Sequence, residues 1–66
     1  MRAEIITSGT ELLLGEVIDT NTPYLARELA SIGITVHHNT TVGDNPERLL
    51  DAIKHAETRA DIIIVS

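Results

Sequence analysis

Three short stretches of this chain carry the residue types that hold phosphates, sugars or metal ions. In Ser8-Gly9-Thr10-Glu11 a glycine lets the backbone approach a ligand, and two hydroxyls and a carboxylate could bind a phosphate, a ribose or a metal. In Val42-Gly43-Asp44-Asn45, the pair Asn45-Pro46 reads as the cap and first residue of a helix. That leaves Asp44 free to hold Mg²⁺ or to act as a base, with stabilisation of the turn as its plainer use. In Asp19-Thr20-Asn21 the acid precedes a helix start, where it either caps the helix or borders bound phosphate.

Other motifs are excluded. Gly9 and Gly15 do not make a G-x-G-x-x-G fingerprint, and no P-loop lysine follows them, so ordinary dinucleotide and nucleoside triphosphate sites are ruled out. His37 and His38 are neighbours on a strand and point to opposite faces, which does not suit shared ligation of one metal. His55 lies off the apolar stripe of its helix and reads as a solvated residue. Leu12-Leu13-Leu14 reads as an apolar loop that caps the core and leaves one contact for an oligomer partner or a ligand.

The elements that position these residues follow from periodicity and punctuation. Ala3–Thr7 is a β-branched run ending at Ser8-Gly9, hence a strand. Thr22-Pro23 predicts a helix start, with Leu25, Leu29 and Ile32 as its buried stripe and Gly33 as its left-handed terminator. A second strand is predicted over 34–42. A second helix follows from Asn45-Pro46, with Leu49, Ile53 and Ala56 buried and Leu50 and Ala60 in support. Ile62–Val65 is an unbroken apolar run, as in a strand covered on both faces of a parallel sheet. The order β-α-β-α-β predicts parallel strands with right-handed crossovers, half of a doubly wound α/β sheet. Ligands of such sheets bind outside the carboxyl ends of the strands, where all three polar stretches fall.

Composition narrows the function classes. The 66 residues include ten acids against five bases, a net charge of −5, so no basic footprint draws nucleic acid or anionic lipid. No apolar run approaches the ~20 residues of a membrane span, and no signal peptide is visible, which sets a cytoplasmic expectation. With no cysteine and one aromatic residue, Tyr24, the chain lacks the usual means of stabilising a very small domain. It is therefore expected to be the amino-terminal part of a longer, truncated domain.

The strand Ala3-Glu4-Ile5-Ile6, the run Gly9-Thr10-Glu11-Leu12-Leu13-Leu14-Gly15, Asp19-Thr20-Asn21, Val42-Gly43-Asp44-Asn45 and the closing Asp61-Ile62-Ile63-Ile64-Val65-Ser66 together resemble the amino terminus of the CinA (competence/damage-inducible) family. The resemblance covers the whole chain. Related molybdopterin-binding domains of the MoaB/Mog type usually carry Asp where this chain has Thr10, which favours the CinA branch. The resemblance implies the N-terminal half of a MoaB/Mog-like domain. It also implies metal-dependent ADP-ribose pyrophosphatase activity, frequent fusion to a nicotinamide-nucleotide amidase domain, and homo-oligomers. A Gly-Gly-x-Gly-Pro-Thr loop would be the family's next motif after Ser66, so residues 1–66 alone are expected to be inactive. Carried onto this chain, the substrate-binding residues are Ser8, Gly9, Thr10, Glu11, Asp19, Asn21 and Gly43, and Asp44 is catalytic. Asp44 and Glu11 would hold a divalent metal, Mg²⁺ or Co²⁺, while Gly9 and the helix starts would offer N–H groups to phosphate. Two alternatives stay open: a non-catalytic module that binds a pterin, a nucleotide or a competence partner, and a role in molybdenum-cofactor biosynthesis.

Overall fold

Strand β1 (Arg2–Ser8) occupies the middle of the sheet and is the most deeply buried element of the chain. The computed structural model describes all residues, 1–66. After β1 come α1 (Thr10–Leu13), α2 (Asn21–Ser31), β2 (Thr35–Val42), α3 (Pro46–Glu57) and β3 (Ile62–Val65). The three strands form one parallel sheet in the order β2-β1-β3. Side chains alternate across β1, and this separates the two large helices. Thr7 meets Thr22 of α2 on one face, and Glu4 meets Arg59, just past α3, on the other. Right-handed crossovers place the helices this way, and the expected half of a doubly wound α/β sheet is the fold observed.

The chemistry of the helix ends differs in part from the pattern read in the sequence. α3 begins as predicted: the Asn45 side chain accepts the N–H groups of Glu47 (2.9 Å) and Arg48 (3.2 Å), with Pro46 as the first helical residue. α2 begins earlier than Thr22-Pro23 predicts, at Asn21, because Asp19 rather than Thr22 supplies the cap. Pro23 then sits third in the helix, a position whose N–H would have no intrahelical acceptor. Gly33, at φ +85°, closes α2 as predicted. Its N–H reaches the carbonyl of Ala30 (3.1 Å), and Ile34 N–H reaches that of Leu29 (2.9 Å), the paired bonds of a Schellman motif.

Four expectations about packing are corrected. Leu12-Leu13-Leu14 is not a plain loop. Leu13 and Leu14 N–H groups bond back to the carbonyls of Gly9 and Thr10, winding one helical turn that Gly15 (φ +78°) ends. Ile32 does not join the buried stripe of α2 and is 71% exposed, because the helix stops at Ser31 and Ile32 lies at its C-cap. Leu50, 52% exposed, points away from the face on which Ala56 is buried. β3 also differs from a strand covered on both faces. The β2-to-β3 crossover passes over β1, so β1 is the strand with two neighbours. Ile62, Ile63 and Ile64 are half-buried at an edge.

An acid lies at the centre of the sheet. Glu4 is 0% exposed, flanked by His38 on β2 and Ile63 on β3. Arg59 donates to it through Nε (2.8 Å to Oε1) and Nη2 (3.0 Å to Oε2), and Thr40 Oγ1 donates to Oε2 at 3.2 Å. A bulge in β2 skips His37 in the register and sets His38 opposite Glu4, its Nδ1 4.0 Å from Oε1. The Arg59 hydrogen bonds hold the Glu4 carboxyl below its ordinary value of 4.5 despite burial.

Two outcomes follow for stability. Arg59→Met strands the buried Glu4 carboxylate, at a cost on the order of 2–3 kcal/mol for that group, while Glu4→Met combined with Arg59→Met recovers most of the loss. Urea unfolding of both variants checks this, and equal losses in the two would contradict it. Because the Glu4 carboxyl is more acidic folded than unfolded, its contribution is complete above pH 4.5 and is lost as the pH falls through the lower folded value. The urea midpoint of Glu4→Gln should therefore decline less steeply below that pH than that of the wild type, with Asp19 sustaining the remaining slope.

Candidate functional site

Parallel strands bring their carboxyl ends to one edge, and here the ladder continues past the strands and ties the loops together. Ser8 N–H donates to the carbonyl of Ser66 (3.2 Å), and Gly9 N–H to that of Val42 (2.9 Å). Gly43 is buried under α1. A Cβ there would stand 3.5 Å from both Leu13 Cδ2 and Thr10 Oγ1, so the turn of α1 rests on this glycine at ordinary contact distance. Thr10 Oγ1 accepts the N–H of Asp44 at 3.0 Å, joining the loops after β1 and β2.

Two cavities open at this edge. The larger, about 320 Å³, is lined by Ser8, Glu11, Asp19 and Asn21 of the predicted set, together with Thr7 and Ser66. Leu12, Val17 and Ile18 form an apolar wall beside them. The smaller, about 290 Å³, lies between Ser8, Asp44, Asn45, Pro46 and Leu49. Ser8 lines both. Glu11 and Asp44, the expected metal pair, thus lie on neighbouring cavities rather than in one. Thr10 and Gly43 support the loops, and Gly9 lies under the Glu11 carboxylate, whose Oε1 is 2.8 Å from where a Cβ would sit.

Asp19 has the best-defined environment of the predicted residues. Its Oδ1 accepts the N–H groups of Asn21 (3.1 Å) and Thr22 (3.0 Å), and its Oδ2 accepts the Thr22 hydroxyl. The Thr22 hydroxyl, then its backbone N–H, hold the Asp19 carboxyl below the usual value of 3.8. Thr22 Oγ1 in turn lies 3.3 Å from Thr7 Oγ1, both residues being buried. Thr7 and Thr22 are the residues that the sequence reading missed. The available signal was Asp19 three positions before Thr22, a capping spacing that also places a hydroxyl beside the acid.

No Lys, Arg or His lines either cavity. The amides expected to receive phosphate are largely taken: that of Gly9 by Val42, those of Asn21 and Thr22 by Asp19, and those of Glu47 and Arg48 by Asn45. The N–H groups of Thr10, Glu11 and Leu12, in the first turn of α1, have no acceptor within the chain. No three His, Cys, Asp or Glu side chains gather into a metal cage. The donor set fits a hard cation bound by one or two carboxylates and completed by substrate phosphate, which is how Mg²⁺ usually binds. The histidines lie elsewhere: His38 beside Glu4, and His55 donating from Nδ1 to the carbonyl of Asp51 (2.9 Å) on α3.

Comparison with known proteins places the chain in a family. Residues 4–66 match the family described as "Probable molybdopterin binding domain". The chain is 58% identical over 66 residues to a "Putative competence-damage inducible protein" of Alkaliphilus oremlandii (strain OhILAs), and 54% identical over 66 residues to a "CinA-like protein" of Dictyoglomus thermophilum. Each match covers 100% of this chain and 16% of the relative, so the chain spans about one-sixth of these curated proteins. The crystal structure of the protein CinA with unknown function from Thermoplasma acidophilum superposes with a TM-score of 0.92 at 26% identity, covering 97% of this chain and 38% of that one. The chain belongs to the molybdopterin-binding domain family and, within it, to the CinA (competence-damage inducible) proteins.

Proposed function

We propose that residues 1–66 supply part of the active site of a metal-dependent hydrolase acting on a nucleotide diphosphate sugar of the ADP-ribose type. The observation that carries this reading is the convergence of hydroxyls and carboxylates around two cavities without a single basic side chain. A diphosphate entering such a site needs its charge balanced by a cation that arrives with it. Asp44 is the exposed carboxylate placed to hold Mg²⁺ or Co²⁺ or to take a proton from water, with Glu11 as a second oxygen donor. The ion would supply neutralisation of the diphosphate and acidification of water. Thr10 accepts from the Asp44 amide, so its own hydroxyl proton is free to donate to a phosphate oxygen. Ser8 faces both cavities and can serve either side of the scissile linkage. The reading places turnover in the longer, cytoplasmic and homo-oligomeric protein, with residues 1–66 inactive alone.

A second reading, favoured by the family's description, is a module that binds a pterin or nucleotide without turning it over. Calorimetric titration separates the two: tight pterin binding with no hydrolysis of ADP-ribose removes the hydrolase.

The full-length protein assayed with ADP-ribose and Mg²⁺ or Co²⁺ tests the leading reading. Asp44→Ala should lower kcat about 100-fold or more and leave the unfolding midpoint unchanged, since its side chain is exposed. Wild-type turnover in this variant would remove Asp44 from the mechanism. Asp19→Ala should behave differently, losing about 1 kcal/mol of stability as α2 loses its cap. Circular dichroism melts of the two variants read the contrast directly.

A further inference from the structure

The bonds around Asp19 have a fixed direction, and that direction reaches the larger cavity. An ionised carboxylate has no proton to give, so the Thr22 hydroxyl donates to Asp19. Having spent its one proton there, Thr22 can only accept from Thr7. The Thr7 proton is therefore committed to the interior. Thr7 lines the 320 Å³ cavity, and any further bond its oxygen makes must be accepted from a ligand. Glu11 and Asp19 beside it carry carboxylates, acceptors with negative charge, while the donors among the lining residues are the Asn21 carboxamide, the hydroxyls of Ser8, Thr20 and Ser66, and the unpaired N–H groups of Glu11 and Leu12. Phosphate oxygens are acceptors too and find nothing complementary at the Thr7 oxygen or at the Glu11 and Asp19 carboxylates, so on that side of the cavity a ligand has to donate.

We infer that the Thr7 and Asp19 side of this cavity binds the uncharged, donor-bearing part of a nucleotide, its ribose hydroxyls, and that Thr7 is the residue setting this preference over phosphate there. A vicinal diol offers two O–H donors from one ring, and a carboxylate accepts the ribose hydroxyl in dinucleotide-binding folds as well. The apolar wall of Leu12, Val17 and Ile18 suits the carbon face of the sugar or the attached base. The diphosphate is then directed past Ser8 to the neighbouring cavity at Asp44. The inference rests on the ligand of the proposed function being a nucleotide, but not on its hydrolysis.

The test is an NMR titration of the full-length protein, without added metal, using adenosine, 2′,3′-dideoxyadenosine and inorganic pyrophosphate. Adenosine should shift the resonances of Thr7, Asp19 and Ile18, and dideoxyadenosine should bind about tenfold more weakly, the value of one or two lost hydrogen bonds. Pyrophosphate should leave those resonances in place. Thr7→Val should weaken adenosine about tenfold, while Thr7→Ser, which keeps the hydroxyl, should not. Equal binding of the two nucleosides, no adenosine shifts at millimolar concentration, or pyrophosphate shifts at Thr7 overturns the inference. The three wild-type titrations decide the matter even if Thr7→Val does not fold. Turnover of ADP-ribose with an unchanged KM in Thr7→Val would keep the hydrolase and remove the ribose site. Discrimination between the nucleosides without turnover would do the reverse.

Discussion

A carboxylate in the middle strand of a parallel sheet constrains everything around it. Glu4 is enclosed on both sides by strands and covered from above, so its charge must be met by a partner from outside β1. Arg59 meets it from the turn between α3 and β3, at 39% exposure, keeping part of its guanidinium in water. The pair fixes where the second crossover descends, because Arg59 is two residues before Asp61. Asp61 bonds to the opposite ends of the same junction: its side chain accepts Arg2 N–H at 2.8 Å, and its own N–H reaches the Arg2 carbonyl at 2.9 Å. β3 thus enters alongside β1 in a set register, Ala3 beside Ile62 and Ile6 beside Val65. From that register the far ends of the strands, and with them Ser8 and Ser66, come out level.

The two ends of the sheet therefore divide the work. The amino end spends charge on holding the strands together, through Glu4, Arg59, Thr40 and Asp61. The carboxyl end spends its polar groups on loops, and leaves carboxylates and hydroxyls facing open space. Asp19 belongs to both economies. It satisfies two amides and a hydroxyl as a cap, and by doing so it orients a chain of hydroxyls that ends on a cavity wall. A cap made by Thr22 itself would satisfy the same helix end without ordering Thr7.

Much of this was legible in the residues, for identifiable reasons. Asn45-Pro46 and Gly33 act through local backbone geometry, so their roles survive any tertiary context. The loops after β1 and β2 were locatable because a parallel sheet gathers its polar strand ends at one edge. What escaped notice depended on distant partners. Glu4 looks like any polar residue in an alternating strand until Arg59, 55 positions away, arrives beside it. Ile32 and Leu50 fit a helical stripe by spacing, but the length of the helix and the position of the sheet decide which faces are covered. The turn of α1 is four residues long, too short to show a period.

The charge of the candidate site then bears on the order in which the proposed nucleotide would bind. With Glu11, Asp19 and Asp44 on or beside the cavities and no basic side chain lining them, a bare diphosphate approaches three carboxylates of its own sign. The uncharged end of a nucleotide meets no such barrier in the larger cavity. In the proposed nucleotide site, binding through the sugar first would hold the phosphates near Ser8, where a cation carried by the diphosphate would meet Asp44. The absence of lysine and arginine from both cavity linings would make binding of the proposed diphosphate conditional on the cation it carries.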